Sequence, residues 1–96
     1  MMFIHIFGFR WMPAATDGDK ERARREILGF GASVPGLLTV QAGRNVSPRG
    51  RGYEFAGLMT FSDEAAYAAY TTHPLHVALL EWLAPLIEPV ELDFEA

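Results

Sequence analysis

The sequence predicts an α+β fold, a ferredoxin-like sandwich in which a four-stranded antiparallel sheet carries helices on one face. Three observations predict this fold class. The inferred element order is strand, helix, strand, strand, broken helix, strand; the 96 residues allow one modest core; and two of the strands are apolar on both faces. We therefore expect one domain, spanning residues 1–96.

The first strand is predicted over residues 2–11. Period-two alternation puts five ring-bearing side chains on one face, namely Phe3, His5, Phe7, Phe9 and Trp11. The other face, which includes Ile4 and Ile6, is also largely apolar. Residues 53–61, YEFAGLMTF, show the same two-sided pattern and predict a further strand.

A helix and a strand are predicted between these two segments. Asp17 or Asp19 is expected to cap a helix through KERARREILGFGASV, which Pro35-Gly36 ends. Its apolar residues recur at helical spacing, at Ala23, Ile27, Phe30 and Val34. Residues 37–43 then favour a strand, and residues 44–52 favour a loop because glycine and proline punctuate them.

The last third of the chain predicts a broken helix and a closing strand. Ser62 is expected to cap the short helix DEAAYAAY. Pro74 favours a new helix start with His73 at the N-cap, and residues 75–86 are expected to be helical. Residues 89–95 alternate and predict the final strand.

The two-sided strands also predict a partner. Helices on one side leave the other sheet face uncovered, and the chain has no further element for it. A second copy is the economical cover, so we expect a homodimer joined sheet to sheet. Such an interface would also support a small domain that has no cysteine for disulfides.

Charge and composition exclude several classes. All eight Lys and Arg residues precede residue 53. The net charge of −4 argues against a nucleic-acid binder, which needs a dense basic surface. The loop with Arg44, Arg49 and Arg51 is expected to be solvated. The apolar start lacks signal-peptide features, and no segment is long enough for a membrane helix. A soluble, cytoplasmic protein without a membrane partner is expected.

The stretch YTTHPLH holds the candidate site. Tyr70, His73 and His76 recur at a spacing of three, and His5 interrupts an aromatic strand face. His76 would follow Pro74 in the first helical turn, where the positive helix end favours a neutral imidazole that can act as a base. Tyr70 could then donate a hydrogen bond to a carbonyl oxygen.

Other interpretations of these residues stay open. His73 could simply cap a helix, while His76 and His5 pack in the core. Three imidazoles can also bind zinc, but HPLH lacks the HExxH pattern, so no metal is expected. Serine-hydrolase, dinucleotide and P-loop motifs are absent from the sequence, and no cofactor is expected.

The chain resembles the stress-responsive A/B barrel (Dabb) family across nearly its whole length. The ordered set that carries this resemblance is His5, Phe61, Asp63, Tyr70, His73, Pro74 and His76, with the terminal ELDFE. The resemblance implies a ferredoxin-like fold that dimerises into an α+β barrel. A plant polyketide cyclase of the family has a similar strand histidine and YxxHPxH motif.

That resemblance implies roles for individual residues. His76 would abstract a proton next to a carbonyl, Tyr70 would orient it or polarise the oxygen, and His5 would support binding. Phe7 and Phe9 would line an apolar pocket, with His73 beside them. The first hypothesis is thus a small cavity that binds or converts an aromatic or polyketide-like carbonyl compound, as a cyclase or lyase. The alternative is a non-catalytic stress-response or ligand-binding module.

Overall fold

The computed structural model describes residues 1–96. Its elements are β1 Phe3–Trp11, α1 Asp17–Gly29, β2 Leu37–Arg44, β3 Phe55–Phe61, α2 Glu64–Thr71, α3 Pro74–Leu83 and β4 Ile87–Glu95. Short 3₁₀ turns, Phe30–Ala32 and Ala84–Leu86, follow α1 and α3. The strand order is β2-β3-β1-β4 and every neighbouring pair is antiparallel. The predicted ferredoxin-like α+β fold is confirmed.

The core lies between the helices and one face of the sheet. Phe7 and Phe9 of β1 pack in one buried cluster with side chains of α1, α2 and α3, among them Ile27, Tyr70 and Leu83. These strand residues alternate with residues of the opposite face, as the period of two requires. The aromatic face predicted for β1 is therefore the face that the helices cover.

The opposite sheet face has no helix over it. Cross-strand pairing aligns Ile6 with Leu92 and Ile4 with Phe94 on that face. Leu92 is 65% exposed and Phe94 is 51% exposed, although both are large apolar side chains. An apolar sheet face of this kind normally packs against another layer.

The start of α1 differs from the prediction. Thr16, and neither Asp17 nor Asp19, is the N-cap. Thr16 Oγ1 accepts a hydrogen bond from the Asp19 backbone N–H at 3.1 Å, and the Asp19 carboxylate accepts one from the Thr16 N–H at 2.9 Å. This reciprocal capping box satisfies two backbone donors, and the bonds from Thr16 lower the pKa of Asp19.

The ends of the other helices also correct the prediction. Asp63, one residue after Ser62, caps α2 by accepting a hydrogen bond from the Ala66 N–H at 2.8 Å. The first helix ends as α-helix at Gly29 rather than Val34, because Gly29 and Gly31 are poor helix formers. Likewise α3 ends at Leu83 before Pro85, which has no N–H to donate.

The last strand is longer than predicted. It begins at Ile87, two residues before Pro89. Because β4 lies at the edge of the sheet, the missing N–H of Pro89 does not prevent pairing with β1. This edge position leaves one side of β4 free to border a cavity.

A glycine in β3 makes room for an aromatic ring of β1. Phe7 pairs with Gly57, and a Cβ added at Gly57 would collide with the Phe7 ring. The Phe7 ring therefore lies directly over the backbone of β3. Gly57 thus determines where this ring sits in the core.

The three arginines that were expected to be solvated lie at the surface. Arg44, Arg49 and Arg51 are exposed. No helix has both the length and the apolar character needed to cross a membrane.

Candidate functional site

A cavity of ≈130 Å³ lies between the sheet and α3. Its walls come from every layer of the fold and are mostly apolar. The lining residues are His5, Phe7, Phe9, Ile27, Met59, Tyr70, His76, Leu79, Leu80, Leu83, Ala84, Ile87, Pro89 and Glu91. An apolar cavity with a few convergent polar groups is the usual form of a small-molecule site.

The structure brings five of the six candidate residues together. Both aromatic residues, Phe7 and Phe9, line this cavity, and so do His5, Tyr70 and His76. His73 does not line it. Its Nδ1 accepts a hydrogen bond from the Leu75 backbone N–H at 3.1 Å and caps α3. Of the two histidines in HPLH, one therefore borders the cavity and the other begins the helix.

His76 is held in one tautomer by the backbone. Its Nδ1 lies 3.0 Å from the carbonyl oxygen of Thr71. Because a carbonyl only accepts hydrogen bonds, Nδ1 carries the proton and the neutral ring keeps its lone pair at Nε2. The ring centroid lies 4.4 Å from that of Tyr70. His76 is thus an oriented base in contact with a phenol.

His5 is the most enclosed histidine, and an acid at the sheet edge orients it. It is 4% exposed, and its Nδ1 lies 2.6 Å from Oδ1 of Asp93. A carboxylate accepts this bond, so Nδ1 is again the protonated nitrogen and Nε2 the acceptor. The pairing of β1 with β4 brings the two residues opposite each other.

The Tyr70 hydroxyl is a proton donor that the protein leaves free. Tyr70 is 5% exposed. Burial, followed by the nearby Tyr67 and Glu91, raises its pKa, so the phenol stays protonated at neutral pH. No other protein atom forms a hydrogen bond with its oxygen. Every fully buried side-chain polar atom of the chain has a hydrogen-bond partner, so the Tyr70 oxygen is not fully buried. The hydroxyl therefore reaches accessible space.

A second tyrosine packs beside this group. The Tyr67 ring lies 5.0 Å from that of His5 and 6.2 Å from that of Tyr70. Burial, with Asp93 and Glu91, raises the pKa of Tyr67 to about 12. Aromatic rings thus surround the buried imidazole on the side of α2.

Sequence reasoning missed three polar residues of this region: Tyr67, Glu91 and Asp93. The signal for the two acids was the alternation of ELDFE, which places Glu91 and Asp93 on one face of the last strand. Their proximity to His5 depends on the strand register, which the sequence did not reveal. Tyr67 was visible only as one aromatic residue in an alanine-rich helix.

The arrangement does not resemble a metal centre. No group of three or more His, Cys, Asp or Glu side chains converges closely enough to hold a metal ion. The three histidines are divided between the sheet, a helix cap and the first turn of α3. The polar groups that line the cavity are two imidazoles, a phenol and a carboxylate.

The chain matches one known protein family over nearly its whole length. A family model described as the stress responsive A/B barrel domain matches residues 3–96. A dimeric ferredoxin-like protein of unknown function from Thermobifida fusca is 28% identical, with a TM-score of 0.87 over 100% of this chain and 92% of that one. A Dabb family protein from Mesorhizobium loti is 27% identical, with a TM-score of 0.83 over 99% and 96%.

An enzyme with the same fold is more distant. Hydroxynitrile lyase from Passiflora edulis is 16% identical, with a TM-score of 0.87 over 97% of this chain and 91% of that one. At this identity the likeness shows the fold alone. Among proteins with curated descriptions, none matches the chain in sequence.

Proposed function

Because the chain belongs to the stress responsive A/B barrel (Dabb) family, we propose that it binds a small carbonyl compound in its cavity and transfers a proton next to the carbonyl group. Family membership alone does not decide an activity, since one fold hosts many functions. The observation that carries the proposal is the contact between His76 and Tyr70, 4.4 Å between ring centroids, in one apolar cavity. It supplies a base and a hydrogen-bond donor to the same ligand.

The size of the cavity limits the ligand. Its volume is ≈130 Å³. An engineered apolar cavity of about 150 Å³ holds benzene, so this one suits a single ring or a short chain. An aromatic or polyketide-like carbonyl compound of that size is the proposed ligand class.

Each polar group has a distinct proposed role. His76 Nε2 takes the proton from the carbon next to the carbonyl as the C–H bond breaks, and the electron pair moves onto the carbonyl oxygen as an enolate. Tyr70 donates its hydrogen bond to that oxygen and strengthens the bond as charge develops. The raised pKa of Tyr70 makes it a donor rather than a base. His76 then returns the proton to the product, as a cyclase or lyase requires.

His5 has a supporting role in this proposal. Asp93 fixes its ring, so the acceptor nitrogen Nε2 can bind a hydroxyl group of the ligand. Phe7 and Phe9 form the apolar wall on the sheet side. No cofactor takes part in the proposed step.

We also propose that the working form is a homodimer. Several similar structures are described as dimeric, and this chain exposes an apolar sheet face with Leu92 and Phe94. Sheet-to-sheet packing would cover that face and leave the helix side, with the cavity, at the outside. The cytoplasmic location stays a prediction.

A non-catalytic ligand-binding module is the second candidate. The observation that favours it is that the histidines already have structural bonds: His76 bonds to Thr71 and thereby links α3 to α2, and His73 caps α3. In that case the cavity would bind its ligand without converting it.

Proton exchange separates the two candidates. Phenylacetone, a one-ring ketone, can be followed by NMR as its α protons exchange with deuterated water. We expect the protein to accelerate exchange and His76→Ala to reduce the acceleration by about 100-fold or more, the usual contribution of a general base. His73→Asn is the matched control and should retain the full rate. Equal rates in His76→Ala and the unmodified protein, or no acceleration at all, would favour the binding module.

A further inference from the structure

The mouth of the cavity carries one carboxylate. Among the lining residues, Leu80, Ala84, Pro89 and Glu91 are exposed, so the cavity opens between α3 and the edge strand β4. Apart from the two histidines, Glu91 is the only acidic or basic residue of the lining. The entrance is thus an apolar rim with a single anionic group.

Glu91 has no cation to neutralise it. The ion pairs of the chain involve other residues, and no Lys or Arg follows Arg51 in the sequence. Its neighbour on the same strand face, Asp93, is bonded to His5 and adds negative charge. Glu88 of the same strand, by contrast, pairs with Arg10 at 3.3 Å.

The field of Glu91 extends to the buried phenols. After burial and Tyr67, Glu91 is a further cause of the raised pKa of Tyr70, and it contributes likewise at Tyr67. A carboxylate that opposes the loss of a proton from Tyr70 also opposes the entry of any other anion. Apolar walls strengthen this effect because they screen charge less than water does.

We propose that Glu91 selects the ligand by charge, so that the cavity accepts a small apolar body bearing a hydrogen-bond donor, best a protonated amine, and rejects carboxylates. A carboxylate only accepts hydrogen bonds, so the group that meets it must donate. The apolar part of the ligand fills the space beside Phe7 and Leu83, and its donor group remains at the mouth. This inference rests on the proposed function, in that the cavity is the binding site.

Three probes of one shape and different charge test this selection. They are 2-phenylethylamine, 2-phenylethanol and phenylacetate, titrated separately at pH 7 into the full chain and followed by amide chemical shifts. We expect dissociation constants to rise in that order, with shifts at Tyr70, His76 and Leu83. The amine should bind about 5-fold more tightly than the acid, which is the upper end of what one exposed charge pair contributes.

Substitutions of two glutamates on β4 show whether Glu91 causes the difference in affinity between the amine and the acid. Glu91→Gln should remove the difference between amine and acid, and Glu91→Lys should reverse it. Glu88→Gln, on the same strand but paired with Arg10, should leave the order unchanged. If the three dissociation constants have the same order in Glu91→Gln and Glu91→Lys as in the unmodified protein, this inference is overturned. The proposed function would still stand. Absence of binding by all three probes would overturn this inference, and the phenylacetone exchange assay would still decide the proposed function.

Discussion

Tyr70 and His76 owe their chemical character to their immediate surroundings. Burial keeps the phenol protonated, and a single backbone carbonyl, that of Thr71, decides which nitrogen of His76 is free. His73 shows the opposite case. It is the same residue type within the same motif, yet its ring satisfies a backbone N–H and does not reach the cavity.

Removal of the Tyr70 hydroxyl should change stability only at high pH. The pKa of Tyr67 is raised to about 12 and that of Tyr70 is raised as well, whereas an unfolded tyrosine titrates near 10. Above pH ~10 the unfolded chain therefore loses protons that the folded chain retains, so the free energy of unfolding falls as pH rises. We expect Tyr70→Phe to reduce this fall.

Urea unfolding between pH 7 and 11.5 measures the effect. At pH 7 the variant should lie within about 1 kcal/mol of the unmodified protein, because the hydroxyl has no protein hydrogen bond to lose. Tyr53→Phe, beside Arg10 and away from the cavity, is the control. An identical decline in Tyr70→Phe and the unmodified protein would show that Tyr70 does not couple to unfolding at high pH.

At the scale of elements, capping side chains close in sequence determine where the helices start. Thr16, Asp63 and His73 each accept a hydrogen bond from a backbone N–H in the first turn of the following helix. The cap of α1 was predicted too late in the sequence and the cap of α2 one residue too early. Both errors arose because Ser, Thr and Asp are nearly equivalent as caps. Only the proline after His73 removed the ambiguity.

The cap of α3 should contribute measurably to stability and not to the chemistry. His73→Ala removes the acceptor for the Leu75 N–H, and we expect a loss of about 1 kcal/mol in the free energy of unfolding. His73→Asn should recover most of it, since asparagine is also a good N-cap. Urea titrations of the three proteins give the comparison. A loss of ligand binding in His73→Asn with unchanged stability would instead assign His73 to the site.

The whole molecule has one sheet face that its own helices do not cover. Leu92 and Phe94 are large, apolar and more than half exposed on that face. A small chain without disulfides gains stability when such a face is buried against a second copy. The cavity lies on the other side of the sheet, so a sheet-to-sheet dimer would leave the cavity uncovered.

A substitution that introduces a charge on this sheet face tests the homodimer. Leu92→Asp should shift the protein from dimer to monomer in sedimentation velocity at micromolar concentration, because a carboxylate would be buried without a partner. Val46→Asp, at a residue that is 86% exposed on the loop between β2 and β3, should leave the dimer intact. A stable monomeric form of the unmodified protein, at micromolar and at nanomolar concentration, is the outcome that contradicts the sheet-to-sheet arrangement.

The sequence by itself determined the element order, the ferredoxin-like fold and the helix start at His73. Alternation in residues 2–11 and the proline at position 74 were sufficient, because both signals are local. The proximity of Tyr70 and His76 was likewise expected from the sequence, because the two residues flank the junction of two short helices.

Only the tertiary structure decided the composition of the site. Asp93 reaches His5, and Glu91 reaches the cavity, through the pairing of β1 with β4, strands that the rest of the chain separates. A shift of one residue in that register would turn both acids to the other sheet face, and no local pattern specifies the register. The charge at the mouth of the cavity follows from the same long-range pairing.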